Sequence, residues 1–296
     1  MKIQKLIVGI LILALAAACN PLKQLHSTQD SFEDAHEAGN HEEALSAFDE
    51  LEDYHNNEGS EIETEYLKMA ARSAVDAGLN NRAKELLQRW IDRTDEFEAI
   101  EMLGNLYRET NDTDKEYEHW DQYWDAIESE EKKKEIGLRL FTLDLKEDNA
   151  EKALERFDDM PPVSDPRIMF KRVEALEATG EKEEAREECD KLIEKNPDFE
   201  PALAWKATDI YQRAEELYKK EMEEYEKNEE YTAYVYLRRE LKKISKMYRQ
   251  SRDIFEKLHE ADPDNEQYIK YLKNIYLRLE MQEEAAKMDM LLEEQR

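Results

Sequence analysis

The helix-favouring stretches of this chain are broken by an interruption that keeps returning. Breaks fall at Gly39, Gly78, Asn111-Asp112, Asp148-Asn149 and Gly180, at intervals of 39, 33, 37 and 32 residues. A chain with such a period folds as stacked helical units, each burying an apolar face that it cannot cover alone. Gly, Asn and Asp tolerate positive φ, so each break reads as a turn between two antiparallel helices. Counting from the breaks gives two columns. Five positions on stand Ala44, Ala83, Glu116, Ala153 and Ala185; nine positions on stand Phe48, Leu87, Trp120, Phe157 and Cys189. A methyl group is about all that fits where two helices approach most closely. One turn later a large apolar group fills the gap towards the next pair. Glu116 is the departure in the alanine column.

These columns resemble the tetratricopeptide-repeat (TPR) family, whose unit is about 34 residues long. Gly104 and Tyr107 match the family's first-helix glycine and tyrosine, and Pro197 its closing proline. Tyr276 and Ala285 match the tyrosine and the second-helix alanine in the last unit. The closing proline is absent from the first four units. The resemblance implies an all-α fold, a right-handed α-α superhelix (TPR solenoid), with its first helices lining a concave groove that binds proteins.

The phase gives unit starts near 25, 64, 97, 134, 166 and 200, and Phe255, Pro263, Tyr276 and Ala285 place the last at 266. The 66 residues between 200 and 266 exceed one unit by about 32. No Gly or Pro interrupts Ala202 to Asp262, and the one plausible turn is near Asn228. One elongated, projecting helical hairpin is therefore expected, each helix about 16 residues too long and reaching ~24 Å further. Its second helix carries Tyr234, Leu237, Leu241, Ile244, Tyr248, Ser251, Phe255 and Leu258, alternating by three and four as in a coiled-coil seam. Its first helix offers Leu203, Ala207, Ile210, Ala214 and Leu217, then Tyr218, Met222 and Tyr225.

Ahead of the repeats, Lys2 and Lys5 precede the uncharged run Leu6 to Ala18, too short to span a bilayer and suited to a signal-peptide core. The run ends Leu15-Ala16-Ala17-Ala18-Cys19, which resembles the lipobox of bacterial lipoproteins. That resemblance implies acyl chains on the thiol and amine of Cys19, together enough for stable membrane anchoring. Asn20-Pro21-Leu22-Lys23-Gln24 lacks the acidic run that resembles a surface-export signal, so the expected location is the outer membrane, facing the periplasm. The expected organisation is a signal peptide at 1–18, an anchor and linker at 19–24, five repeats at 25–199, the elongated hairpin at 200–265 and a C-terminal repeat at 266–296.

Removing Lys2 and Lys5 takes the formal charge from −30 to −32. A surface that acidic repels phosphate backbones, which argues against a nucleic-acid partner. Cys189 is the only cysteine besides Cys19, so no internal disulfide is expected once Cys19 is acylated. The six histidines show no zinc-ligand spacing, and there is neither a glycine-rich phosphate loop nor a Gly-x-Ser-x-Gly elbow. No catalytic residue, metal site or cofactor is therefore expected, and the chain reads as a non-enzyme. Trp120 and Tyr123, in the aromatic run Tyr117-Trp124, fall on packing columns, as does Cys189.

Two candidate surfaces remain. The TPR resemblance places Lys68, Arg72, Asn105 and Arg108 on the groove, loosely like the clamps that hold a peptide carboxylate, with Glu65, Glu101 and Glu109 near enough to neutralise them. On the long hairpin, Arg238, Arg239, Lys242, Lys243, Lys246, Arg249 and Arg252 form a cationic run broken only by Glu240. Pairing with Glu215, Glu216, Glu223 and Glu224 of the first helix accounts for Arg238 and Arg252 alone. The sequence thus points to a lipid-anchored envelope scaffold that binds a protein or peptide through the groove or the arm at Arg238, Arg239, Lys242 and Lys243. The alternatives are a subunit of an outer-membrane assembly or secretion machine and, in another class, a periplasmic small-ligand sensor or carrier. A long, open, acidic groove argues against the last, because small-ligand sites are enclosed and mostly apolar.

Overall fold

A computed structural model describes residues 21–295; Cys19 and the expected signal peptide lie outside the described residues. The described chain is all helix and connections. The first helices run α1 Pro21–Glu37, α2 His41–Glu58, α3 Thr64–Asp76, α4 Asn80–Thr94, α5 Phe97–Glu109, α6 Thr113–Gln122 and α7 Glu130–Lys146. A 3-10 turn at Trp124–Ala126 precedes α7. There follow α8 Ala150–Asp159, α9 Pro166–Ala178, α10 Lys182–Lys195, α11 Glu200–Lys227, α12 Tyr231–Ala261, α13 Glu266–Arg278 and α14 Gln282–Glu294. None of the described helices is long and apolar enough to cross a membrane.

The interruptions do what their chemistry allows. Gly39, Gly78, Asn111, Asp148 and Gly180 all have φ between 53° and 88°, the left-handed region that closes a helix and reverses the chain. The last hairpin turns on Glu280 at φ 62°, a residue type that gives no such signal in sequence. Caps set the opposite ends: the Asp165 side chain accepts from the Arg167 amide at 2.8 Å, and Asn265 accepts from the amides of Gln267 and Tyr268. The alanine column is the point of closest helix approach, with Ala44, Ala83, Ala153 and Ala185 fully buried.

The helices form two compact units, one ending at Ile136 and one beginning at Gly137. The boundary falls inside α7; the expected segment starts at 200 and 266 coincide with the first residues of α11 and α13. In the first unit, hairpins α1–α2, α3–α4 and α5–α6 pack in sequence, α2 on α3 and α4 on α5. Its first helix opens at Pro21, inside the stretch expected as linker, and α7 opens four residues ahead of the expected 134.

In the second unit, α11 and α12 are 28 and 31 residues long, about twice the 13 or 14 of α9, α10, α13 and α14. They form the elongated hairpin, turning at 228–230. Leu237, Ile244, Tyr248, Ser251, Phe255 and Leu258 of the expected seam are buried, against Leu203, Ala207, Ile210 and Ala214 of α11. Two seam positions depart: Tyr234 is exposed, and Leu217 is 40% exposed while Glu221 takes the buried place. The step after Ala214 is a long one where the alternation calls for a short one. The inward face therefore passes from Ala214 to Tyr218 and leaves Leu217 outside. The hairpin base has no core of its own. Leu203, Ala207, Phe255 and Leu258 share one cluster with Tyr268, Leu272, Ile275 and Tyr276 of α13. That shared core ties α13 to the base of the hairpin.

Candidate functional site

The groove residues lie on the first-unit helices α3 and α5, and their cations are already engaged. Lys68 Nζ donates to Glu96 at 2.8 Å, and Glu96 also accepts from the indole of Trp90 at 2.9 Å. The hydrogen bond from Lys68 holds the Glu96 carboxyl below its ordinary pKa, against the opposing effect of desolvation. Arg72 grips Glu98 with two hydrogen bonds of 3.1 Å. Both cations lie over the fully buried Trp90 ring, at 5.6 and 5.0 Å from its centre. Arg108 donates to Glu116 and to Glu135 at 2.9 Å each. Burial works against the Arg108 charge, but those hydrogen bonds outweigh it and raise its pKa. Asn105 is exposed on α5. The neutralising carboxylates are Glu96, Glu98, Glu116 and Glu135, not the expected trio, of which Glu65 contributes only a 3.8 Å contact to Lys68 and Glu101 pairs with Lys132. The expected trio shares the cations' own helices. The observed partners mostly sit at the start of the next first helix, where a side chain can reach across.

Glu116 thereby explains itself. It is fully buried in the alanine column because Arg108 reaches it from the facing helix. Beside it Trp120 is fully buried and packs on Gly104 so closely that a Cβ there would collide with the indole. His119, also buried, bonds the Ile100 carbonyl oxygen through Nε2 at 2.7 Å, and burial lowers its pKa. Tyr117 and Tyr123 are half-buried and Trp124 is buried.

The arm behaves differently. Glu215 does not serve α12's cations: it accepts from Tyr248 at 2.7 Å and from Arg278 of α13 at 2.8 and 2.7 Å. Burial alone would raise the Glu215 pKa, yet those donors hold it below the ordinary carboxylate value. Arg252 pairs with Asp253 and Glu256 on its own helix, and Arg238 lies over the Tyr234 ring at 5.9 Å. The expected pairing of Arg238 and Arg252 across the hairpin is therefore replaced, because α13 has taken the best-placed carboxylate. Glu240 collects Arg239 and Lys243. Arg238, Lys242, Lys246 and Arg249 have no carboxylate within ion-pair distance among the described residues. Near the tip, Tyr231 is 81% exposed, and Tyr234, Val235 and Tyr236 are exposed as well.

No family model and no curated protein matches the sequence. Among solved structures, one from Bacteroides ovatus ATCC 8483, described as protein-binding, is 17% identical with a TM-score of 0.51, covering 74% of this chain and 99% of its own. The C-terminal part of a TPR repeat-containing protein from Cytophaga hutchinsonii is 12% identical with a TM-score of 0.44, over 88% and 92% of the two chains. A TPR repeats protein from Bacteroides fragilis NCTC 9343 is 12% identical with a TM-score of 0.41, over 86% and 98%. At 17% identity the first of these likenesses concerns the fold alone. What decides the fold is internal: the hairpins at Gly39, Gly78, Asp148, Gly180 and Glu280 each turn on a left-handed residue and close on a buried alanine five positions later. This is a TPR fold.

Within the TPR array Cys189 occupies a packing column. It is fully buried, its thiol bonds the Ala202 carbonyl oxygen at 3.4 Å, and burial pushes its pKa up to about 12. Among the described residues no group of three or more His, Cys, Asp or Glu is placed to hold a metal ion. A depression of about 510 Å³ beside Lys206, Ile210, Arg213, Met247 and Ile254 is formed by the TPR array's long hairpin alone. Sequence reasoning missed the Tyr248–Glu215–Arg278 link at the arm's base. Its signal is faint: Glu215 and Arg278 lie far apart in the chain, and only the packing of α13 on α12 brings them together.

Proposed function

We propose that this chain is a non-catalytic scaffold, lipid-anchored through Cys19 at the outer membrane and facing the periplasm, that binds a protein partner through its long hairpin. One observation carries the choice of surface. The cations of α3 and α5 are consumed by carboxylates of the same protein, whereas four cations of α12 have none. Other lysines, Lys146, Lys171 and Lys287 among them, also lack an ion pair, but they stand one or two to a helix; four on one helix, in a chain with 73 acidic and 43 basic residues, mark a surface kept for something else. The resemblance of the run ending at Cys19 to a lipobox supports the anchor.

The test removes the outer arm without touching its base. Deleting residues 217–227 together with 231–241 takes eleven residues, about three helical turns, from each helix. Glu215, Tyr248 and Arg278 and the turn at 228–230 remain. Because Lys242, Lys246 and Arg249 lie below the cut, the excision is combined with their replacement by alanine; partner capture from detergent-solubilised envelopes should then be lost, while a variant with Arg72→Gln and Asn105→Ala should retain it. The opposite pattern would assign recognition to the α3–α5 face. Cys19→Ser should move the protein from the membrane fraction to the soluble periplasm; continued sedimentation with membranes would end the anchor reading.

A further inference from the structure

The unpaired cations of α12 are not scattered around the helix. At about 100° per residue, Arg238, Lys242, Lys246 and Arg249 fall within an arc of about 80°. Tyr231 and Val235 fall in the same arc, and both are exposed. This face lies away from the seam of Leu237, Ile244 and Tyr248 that packs on α11. It therefore runs as one stripe from the tip towards the base, with two apolar side chains first and then four cations, over a length of ~27 Å. Asp253, held by Arg252, closes its lower end.

We propose that this stripe is the docking face for an acidic amphipathic helix of a partner protein. The helix would carry carboxylates at the matching spacing of four, four and three residues and an apolar side chain beyond one end. Charge complementarity is the ground. A row of cations at helical pitch is met in full only by a rod with the same pitch, laid alongside as a third helix on the hairpin. An anionic bilayer fits less well. A helix that lies on a membrane buries apolar groups along its whole length, and here they are confined to the outermost turns. The body's strong negative charge also repels an anionic surface. Long-range attraction does not guide the partner in; local pairing and the apolar contacts at Tyr231 and Val235 hold it, so binding weakens as salt rises.

This inference rests on the arm as the recognition element. Excision of 217–227 and 231–241 together with alanine at Lys242, Lys246 and Arg249 asks whether the arm binds at all, and the following experiment asks what it binds. The probe is a stapled helical peptide of about 20 residues with glutamates at that spacing and a leucine one turn beyond. Its partner is the full chain carrying Cys19→Ser, so that no lipid intervenes, and fluorescence anisotropy reads the complex. Lys242→Glu plus Lys246→Glu should weaken the glutamate peptide by at least about tenfold. The same variant should gain binding to a lysine peptide of identical spacing, which a folding defect cannot produce. Three results would overturn the proposal: no binding of the glutamate peptide, cosedimentation of the Cys19→Ser chain with phosphatidylglycerol vesicles in its place, or self-association that vanishes in the doubly charge-reversed chain. Loss of native partner on arm excision without peptide binding would sink this inference alone.

Discussion

The third hairpin and the long hairpin carry similar side chains to opposite ends. In α5–α6, Arg108 turns inward to a fully buried Glu116, and Trp120 closes on Gly104 without room for a methyl group. In α12, Arg238, Lys242, Lys246 and Arg249 face out, and Tyr231 and Val235 share their side of the helix. Charge on a helix therefore has no meaning by itself. A cation within reach of a neighbouring repeat becomes part of the packing. A cation on a hairpin longer than its neighbours has no repeat beside it and stays available.

The largest effect expected to test this contrast lies at Arg108. Arg108→Ala takes a charged partner from a carboxylate that has no access to water, and should destabilise by about 3 kcal/mol, read as a lowered midpoint in urea. Adding Glu116→Ala restores the alanine that fills this column elsewhere and should recover much of the loss. A double variant as unstable as the single would mean that Glu116 serves the fold in some way other than its pairing with Arg108.

Gly104→Ala comes next. The new Cβ meets a buried indole that has nowhere to go, so the overpacking cost exceeds the gain in helix propensity and should leave a net loss of about 2 kcal/mol. A melting temperature at or above that of the parent would show that Trp120 has a second place to sit.

The smallest expected effect is the most informative about the arm. Replacing Arg238, Lys242, Lys246 and Arg249 by alanine together should change stability by no more than about 0.5 kcal/mol, since none of the four has an ion pair and the one ring contact, Arg238 over Tyr234, is made to an exposed side chain of the same helix. Lys68→Ala with Arg72→Ala should by contrast lower the melting temperature, because those cations also cover Trp90. If the arm variant melts lower than the α3 variant, the contrast between the two surfaces fails.

The helical period, the turns at Gly39, Gly78, Asn111, Asp148 and Gly180, the alanine column and the doubled hairpin are all written in the order of the residues. These depend on interactions within one unit or between adjacent helices, and each leaves a residue type at a fixed spacing. Glu280 shows where that reading ends, since a left-handed turn built on glutamate carries no signature. Who pairs with whom was settled by packing. Glu215 could have served α12 and instead serves Tyr248 and Arg278; Lys68, Arg72 and Arg108 could have faced a ligand and instead hold Glu96, Glu98 and Glu116. Spacing along a helix fixes which side a charge occupies. The distance to the next carboxylate depends on how the following helix packs, and no local pattern in the chain encodes that distance.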